Sequence, residues 1–180
     1  MKSEIPDNYI LNLPKPTEEG VRAFLSGSFI KGIGPVYAKK IIERFGFDIL
    51  DLCFDYQSRL NEISGIPEKN IREFGESITS LKISPKILAL LYSAGLNDAN
   101  IEKIVSHYGP MVENVIQRDP YDMVENVWKF SFFPADKIGK FIGIGSDDPR
   151  RLRGAILTAV KFYAEEGNMF ATEPQVLQTA

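Results

Sequence analysis

Phe29-Ile30-Lys31-Gly32-Ile33-Gly34-Pro35-Val36-Tyr37-Ala38-Lys39-Lys40-Ile41-Ile42-Glu43-Arg44-Phe45-Gly46 is the stretch whose reading decides the fold. Glycines on either side of Ile33 make a tight turn, Pro35 suits the first position of a following helix, and Gly46 suits its C-terminal cap. Val36, Ala38, Ile41, Ile42 and Phe45 keep helical spacing and supply an apolar face. Upstream, Pro14 and Pro16 imply an extended lead-in. Thr17 with Glu18 and Glu19 then reads as an N-cap and acidic first turn of a helix running to about Ser26-Gly27.

Similar punctuation recurs. Ser64-Gly65-Ile66-Pro67 precedes Ile71 and Phe74, Gly95-Leu96-Asn97 precedes Ile101, Ile104 and Val105, and Lys129-Phe130-Ser131 precedes Ala135 and Ile138. The turns also pair: Gly32, Ile33, Gly34, Ile41, Phe45 and Gly46 match Gly95, Leu96, Asn97, Ile104, Tyr108 and Gly109, each 63 positions later. Past one inserted residue, Ile63, Ile66 and Ile71 match Val127, Phe130 and Ala135 at an offset of 64. Repeated units of this size bury their apolar faces against one another rather than alone. Further on, Asp148-Pro149 opens a helical pattern of Leu152, Ala155, Ile156, Ala159, Val160 and Tyr163 that stops at Gly167, and Thr172-Glu173-Pro174 resembles the start of another helix. The expected fold is all-α, with duplicated tandem helix-hairpin-helix motifs (four hairpins) and a long C-terminal helix. Its divisions are a lead-in over 1–16, a first hairpin pair over 17–82, a second over 83–146, and the C-terminal helix with a truncated next element over 147–180.

Hydrophobic residues at 44% and charged residues at 25% exclude a disordered or membrane chain. No apolar run approaches the roughly 20 residues of a membrane span, and the N-terminus lacks the apolar stretch of a signal peptide. A cytoplasmic protein with no membrane partner is expected. Cys53 is the sole cysteine, which excludes an internal disulfide and reads as a buried thiol in the run Ile49 to Phe54. His107 is the sole histidine and reads as a helix-end residue rather than a metal ligand. Net charge is -3 with a pI near 5.3, so any nucleic-acid contact has to be local.

A Gly-apolar-Gly turn at a helix start can aim backbone N–H groups at a phosphate, aided by the helix dipole. The candidate DNA-contact residues are Lys31, Gly32, Ile33, Gly34, Lys39, Lys40 and Arg44 at the first turn, with Gly95 and Asn97 at the third. Such contacts carry no base information. The plainer reading of the same glycines is that they let two helices pack closely. Pro67 lacks a donor, and Lys129 and Ser131 replace both glycines of the fourth turn, so the second and fourth turns read as structural. Arg150, Arg151 and Arg153, with Lys137 and Lys140, are a second candidate contact surface, and the plainer reading is a solvated helix face balanced by Asp147 and Asp148. Trp128, Phe130, Phe132 and Phe133 form an aromatic cluster of the kind that stacks on bases, and the plainer reading is core or a docking face.

Catalytic patterns are missing. The single Gly-Lys pair, Gly139-Lys140, is followed by Phe141 and makes no phosphate loop, and no nucleophile-base-orienter set occurs. Asp147-Asp148 and Glu165-Glu166 fit a helix cap and an exposed helix end. A non-catalytic chain with no metal or cofactor of its own is expected.

The run Pro16-Thr17-Glu18-Glu19-Gly20-Val21 through Phe24-Leu25-Ser26-Gly27, then Ile30 to Pro35, resembles the N-terminal region of RecD/TraA-type helicases, relatives of the exodeoxyribonuclease V alpha subunit. So do Asp119-Pro120-Tyr121, Ala135-Asp136-Lys137-Ile138, Pro149-Arg150-Arg151-Leu152 and Gly167-Asn168. The family usually has Gly-Ile-Gly-Phe where this chain has Lys129-Phe130-Ser131-Phe132, and Gly-His where it has Gly167-Asn168. The resemblance implies a parent ATP-dependent DNA helicase, 5′-to-3′ and active in recombination or repair. ATP and magnesium then belong to motor domains outside this chain. It further implies that this piece guides single-stranded or junction DNA by its phosphate backbone, or docks on the motor domains as a protein-interaction module.

Overall fold

The computed structural model describes residues 12–51, 59–165, 172 and 174–175. Among them every regular element is helical and no strand occurs. In chain order the α-helices are α1 (Glu18–Ser26), α2 (Pro35–Phe45), α3 (Glu68–Ser80), α4 (Pro85–Ser93), α5 (Asp98–Tyr108), α6 (Val112–Arg118), α7 (Asp122–Asn126), α8 (Phe132–Phe141) and α9 (Pro149–Glu165). Short 3-10 turns at Gly46–Leu50 and Gly109–Met111 continue α2 and α5. Cys53 and Gly167-Asn168 lie outside the described residues.

Local chemistry sets the helix ends. Thr17 Oγ1 accepts from the Gly20 N–H at 3.1 Å and opens α1. Asn97 and Ser84 cap α5 and α4 in the same way, and Asp148 Oδ1 accepts from the Arg150 N–H at 2.9 Å where α9 begins. Near the chain end Pro174 and Gln175 are helical, with Gln175 Oε1 accepting from both the N–H and the hydroxyl of Thr172.

The turns before α2, α3, α5 and α8 share one geometry. Gly32, Gly65, Gly95 and Lys129 have φ of 80°, 85°, 81° and 51°. Each is followed by a buried apolar residue, Ile33, Ile66, Leu96 and Phe130 respectively, and then by an extended residue that starts the helix. Positive φ suits glycine and is strained for Lys129.

These turns also lock together in twos. Lys40 on α2 donates to Ser64 O at 3.4 Å, while Asn70 on α3 donates back to Gly32 O at 2.7 Å. In the second half Lys103 on α5 donates to Lys129 O at 3.0 Å and Lys137 on α8 to Gly95 O at 3.0 Å. Lys40 and Lys103 are themselves 63 positions apart. A Cβ on Gly32 would meet Asn70 O at 2.6 Å, so close packing alone already requires glycine there.

The core runs without a break through both halves. Phe24, Leu25, Ile41 and Phe74 belong to the same buried cluster as Leu88, Ile104, Ile116 and Tyr121. At α1 against α4, Gly20 lies so close to Ala89 O and Ser93 that a Cβ would collide, and Ser93 Oγ accepts from the Thr17 N–H at 2.9 Å.

Two sequence expectations need correction, and a third divides between its alternatives. Val36 is 70% exposed, because the first turn of α2 projects past the core that Ala38 and Ile41 enter. The aromatic cluster divides: Phe130 is buried, whereas Trp128 and Phe133 are 81% and 78% exposed at either end of the fourth turn. The C-terminal arginines are balanced as expected only in part, at Asp148, and otherwise pair with buried acids from earlier helices. Arg151 pairs with buried Asp136 at 2.7 Å, Arg153 with buried Asp119 at 2.5 Å, and Arg150 folds back on Asp148 at 2.7 Å.

Candidate nucleic-acid interface

Gly34 ends the first turn in an extended conformation, φ -87°, with nothing within 4 Å of where a Cβ would lie. Its own fold therefore does not require glycine, unlike Gly32. No side chain caps α2, and among the described residues no acceptor meets the N–H groups of Ile33, Gly34, Val36 or Tyr37. These are the orphan donors that a helix start leaves for water or a ligand. Ile33 itself turns its side chain into the core and offers only its backbone.

The neighbouring cations differ in their commitments. Lys31 uses its N–H on Ser77 Oγ at 3.0 Å, but its exposed ammonium has no ion pair among the described residues. Lys39 makes only a loose surface pair with Glu43 at 3.8 Å, an interaction worth little in water. Lys40 reaches Ser64 O. Arg44 is tied to Glu62 at 2.8 Å and stands 5.6 Å over the Phe45 ring.

At the third turn the side chain of Asn97 is spent on the Asn100 N–H at 3.0 Å, so it satisfies its own helix start. Gly95 O is held by Lys137. No hydrogen bond or ion pair links the first-turn candidates to Gly95 or Asn97. Besides α1 on α4, residues of the two stretches meet where Ser28 bonds Asp98 and Glu102. The Tyr92 hydroxyl also donates to Asp98, at 2.5 Å, and holds its carboxyl below the usual range.

The second cluster is a buried network that the sequence did not disclose. Tyr121 is fully buried between Gly139 of α8 and Gly154 of α9, and its hydroxyl donates to Asp136 at 3.0 Å. Asp136 also takes Arg151 and Lys140. Burial pushes its carboxyl up, but these three donors outweigh burial and hold it low. At Asp119 burial outweighs the Arg153 guanidinium and raises the carboxyl. Asp119-Pro120-Tyr121, Ala135-Asp136 and Arg150-Arg151, three motifs far apart in sequence, thus meet at one place. The signal that could have found them was the matching of two acids in mid-chain with two arginines near the end.

Among the described residues no group of three or more His, Cys, Asp or Glu is placed to hold a metal. No described helix is long and apolar enough to cross a membrane.

The model of the ATP-dependent RecD2 DNA helicase HHH domain matches residues 80–170. The chain belongs to this family. The ATP-dependent RecD2 DNA helicase of Deinococcus radiodurans is 30% identical over 145 residues, which is 81% of this chain and 20% of that protein. The chain thus spans about a fifth of the length of this relative. No solved structure matches it. The family match covers the third and fourth turns and the Tyr121 network, while the first turn lies before it.

Proposed function

We propose that this chain is a non-catalytic, sequence-insensitive DNA-guiding module of a larger RecD-type ATP-dependent helicase, acting in the cytoplasm on single-stranded or junction DNA. The observation that carries the reading is the uncapped start of α2, where open Gly34 and its orphan N–H groups lie in sequence between Lys31 and Lys39. A phosphate there would meet backbone donors, a helix dipole and two lysines, displacing no more than the loose Lys39–Glu43 pair. Lys31, Gly34 and Lys39 are the principal contacts, with Gly32 and Ile33 contributing backbone. Lys40, Arg44, Gly95 and Asn97 are secondary because their polar groups already have partners. The four alike turns form two tandem helix-hairpin-helix pairs, over 17–82 and 83–146, that hold this contact in place. ATP and magnesium bind in motor domains elsewhere in the larger protein.

Salt-titrated binding of unrelated oligonucleotides tests the reading. Lys31→Glu with Lys39→Glu should weaken all sequences alike and lower the salt slope by close to two units on duplex, about 0.9 per contact. Gly34→Val should leave the melting temperature unchanged yet weaken binding, since the added side chain meets nothing in the fold. Unchanged affinity and slope in a folded double variant would sink the reading. ATPase should stay at background with or without DNA, and turnover lost on mutating this chain would refute the non-catalytic assignment.

One observation favours a second role as a protein-docking module. Leu152, Ile156 and Val160 form an exposed apolar stripe along α9 at i, i+4 and i+8. Aspartate at Ile156 should then break docking to the motor domains in a pull-down while DNA affinity is kept.

A further inference from the structure

Trp128 is the sole tryptophan of the chain, and at 81% exposure it is placed where so large an apolar side chain is seldom left. It directly precedes Lys129, whose backbone occupies the left-handed position that glycine holds in the other three turns. Keeping a side chain there brings the Lys129 ammonium to 5.9 Å from the indole centroid. Beside the two residues an open groove of about 880 Å³ separates the turn from α9, and half-exposed Phe162 lines it with Lys161.

The charges around the ring are mainly positive. Lys161 lines the groove and donates to Val124 O, and exposed Lys103 donates to Lys129 O. Of the two acids lining the groove, Glu125 is engaged by Arg153 at 3.1 Å, and Glu165 is the other. An exposed indole flanked by ammonium groups offers a base a face to stack on and its phosphates a counter-charge, without regard to sequence. A duplex keeps its base faces stacked inside and cannot use that platform. A protein partner would find three lysine chains around the turn, a residue type depleted at the core of protein interfaces.

We propose that the Trp128–Lys129 turn is a base-stacking contact for an unpaired DNA strand, with Trp128 as platform and Lys129, Lys103 and Lys161 as phosphate partners. It rests on the DNA-guiding reading above but uses a separate turn, one inside the residues that the RecD2 HHH family model matches.

Because Trp128 is the sole tryptophan, its emission reports the contact directly. The 180-residue chain is titrated with unlabelled single-stranded and duplex oligonucleotides of equal length, and anisotropy of a labelled strand is followed in parallel. Single strands should quench the emission and duplex should not. Trp128→Ala should weaken single-strand binding about five- to hundredfold while Trp128→Phe keeps most of it. Lys129→Gly, which relieves the backbone, should also weaken it. Binding seen by anisotropy with unchanged emission and an unaffected Trp128→Ala variant overturns this proposal and leaves the first-turn reading standing. Absence of binding by either readout refutes both. Emission that shifts with protein concentration but not with DNA assigns the surface to protein docking and overturns the stacking role.

Discussion

At Gly154 an added Cβ would lie 2.9 Å from Cδ1 of Tyr121 and 3.0 Å from its Cβ. Alanine gains about 1 kcal/mol over glycine inside a helix, but overpacking a filled site costs about 1–3 kcal/mol. The Tyr121 ring is fully buried and its hydroxyl is held by Asp136, so it cannot swing away. Packing therefore wins, and Gly154→Ala should lower the melting temperature by several degrees in a thermal scan. Lys129 gives the opposite case. Its positive φ is strained by about 1 kcal/mol for an L-residue, and Lys129→Gly should raise the melting temperature. A fall instead would mean that its contact with Trp128 outweighs the strain. That Gly34 and Gly32 differ in purpose was not legible in the Gly-Ile-Gly pattern, because Asn70, which crowds only Gly32, arrives from another helix.

The docking of α9 depends on acids that differ in sign. Asp136 and Asp148 are held below the ordinary carboxylate range by hydrogen bonds, from Arg151, Lys140 and Tyr121 in one case and from Arg150 in the other. Groups with depressed values contribute stability above the unfolded carboxylate value of about 4, and that contribution is lost as pH falls through the folded value. Asp119 is raised by burial and acts oppositely, stabilising more once protonated. The depressed acids outnumber it, so urea melts should show stability falling below about pH 4. Asp136→Asn should flatten that fall. Asp136→Ala, which leaves the Arg151 guanidinium and the Tyr121 hydroxyl without their acceptor, should cost about 3 kcal/mol at pH 7. A loss under 1 kcal/mol would show that α9 is held by its apolar face instead.

Across the whole molecule the two halves share one core, and α1 packs tightly on α4 at Gly20 and Ser93. A chain so joined should unfold in one transition, with calorimetric and van't Hoff enthalpies equal. Gly20→Val should separate the halves into two transitions or unfold the chain, because its side chain would strike Ala89 O and Ser93. Two transitions in the unaltered chain would show that the halves are independent.

What the sequence by itself determined is whatever depends on near neighbours along the chain. The all-helical class followed from 3.6-residue apolar spacing. The Thr17 and Asp148 helix starts followed from capping chemistry within three residues. The turn positions at Gly32 and Gly95 followed from a backbone need that glycine meets. The fourth such turn was legible only through the repeat, since Lys129 hides its conformation. Tertiary structure alone decided which cations are free. Arg44 and Lys31 look equally available in the sequence, but Glu62, 18 residues further on, takes the first and leaves the second. It alone also decided that the arginines after Pro149 face inward and that Trp128 faces out. An ion pair or a buried ring is set by what other helices bring within a few ångströms, and helical periodicity carries no information about the partner on the far side of the core.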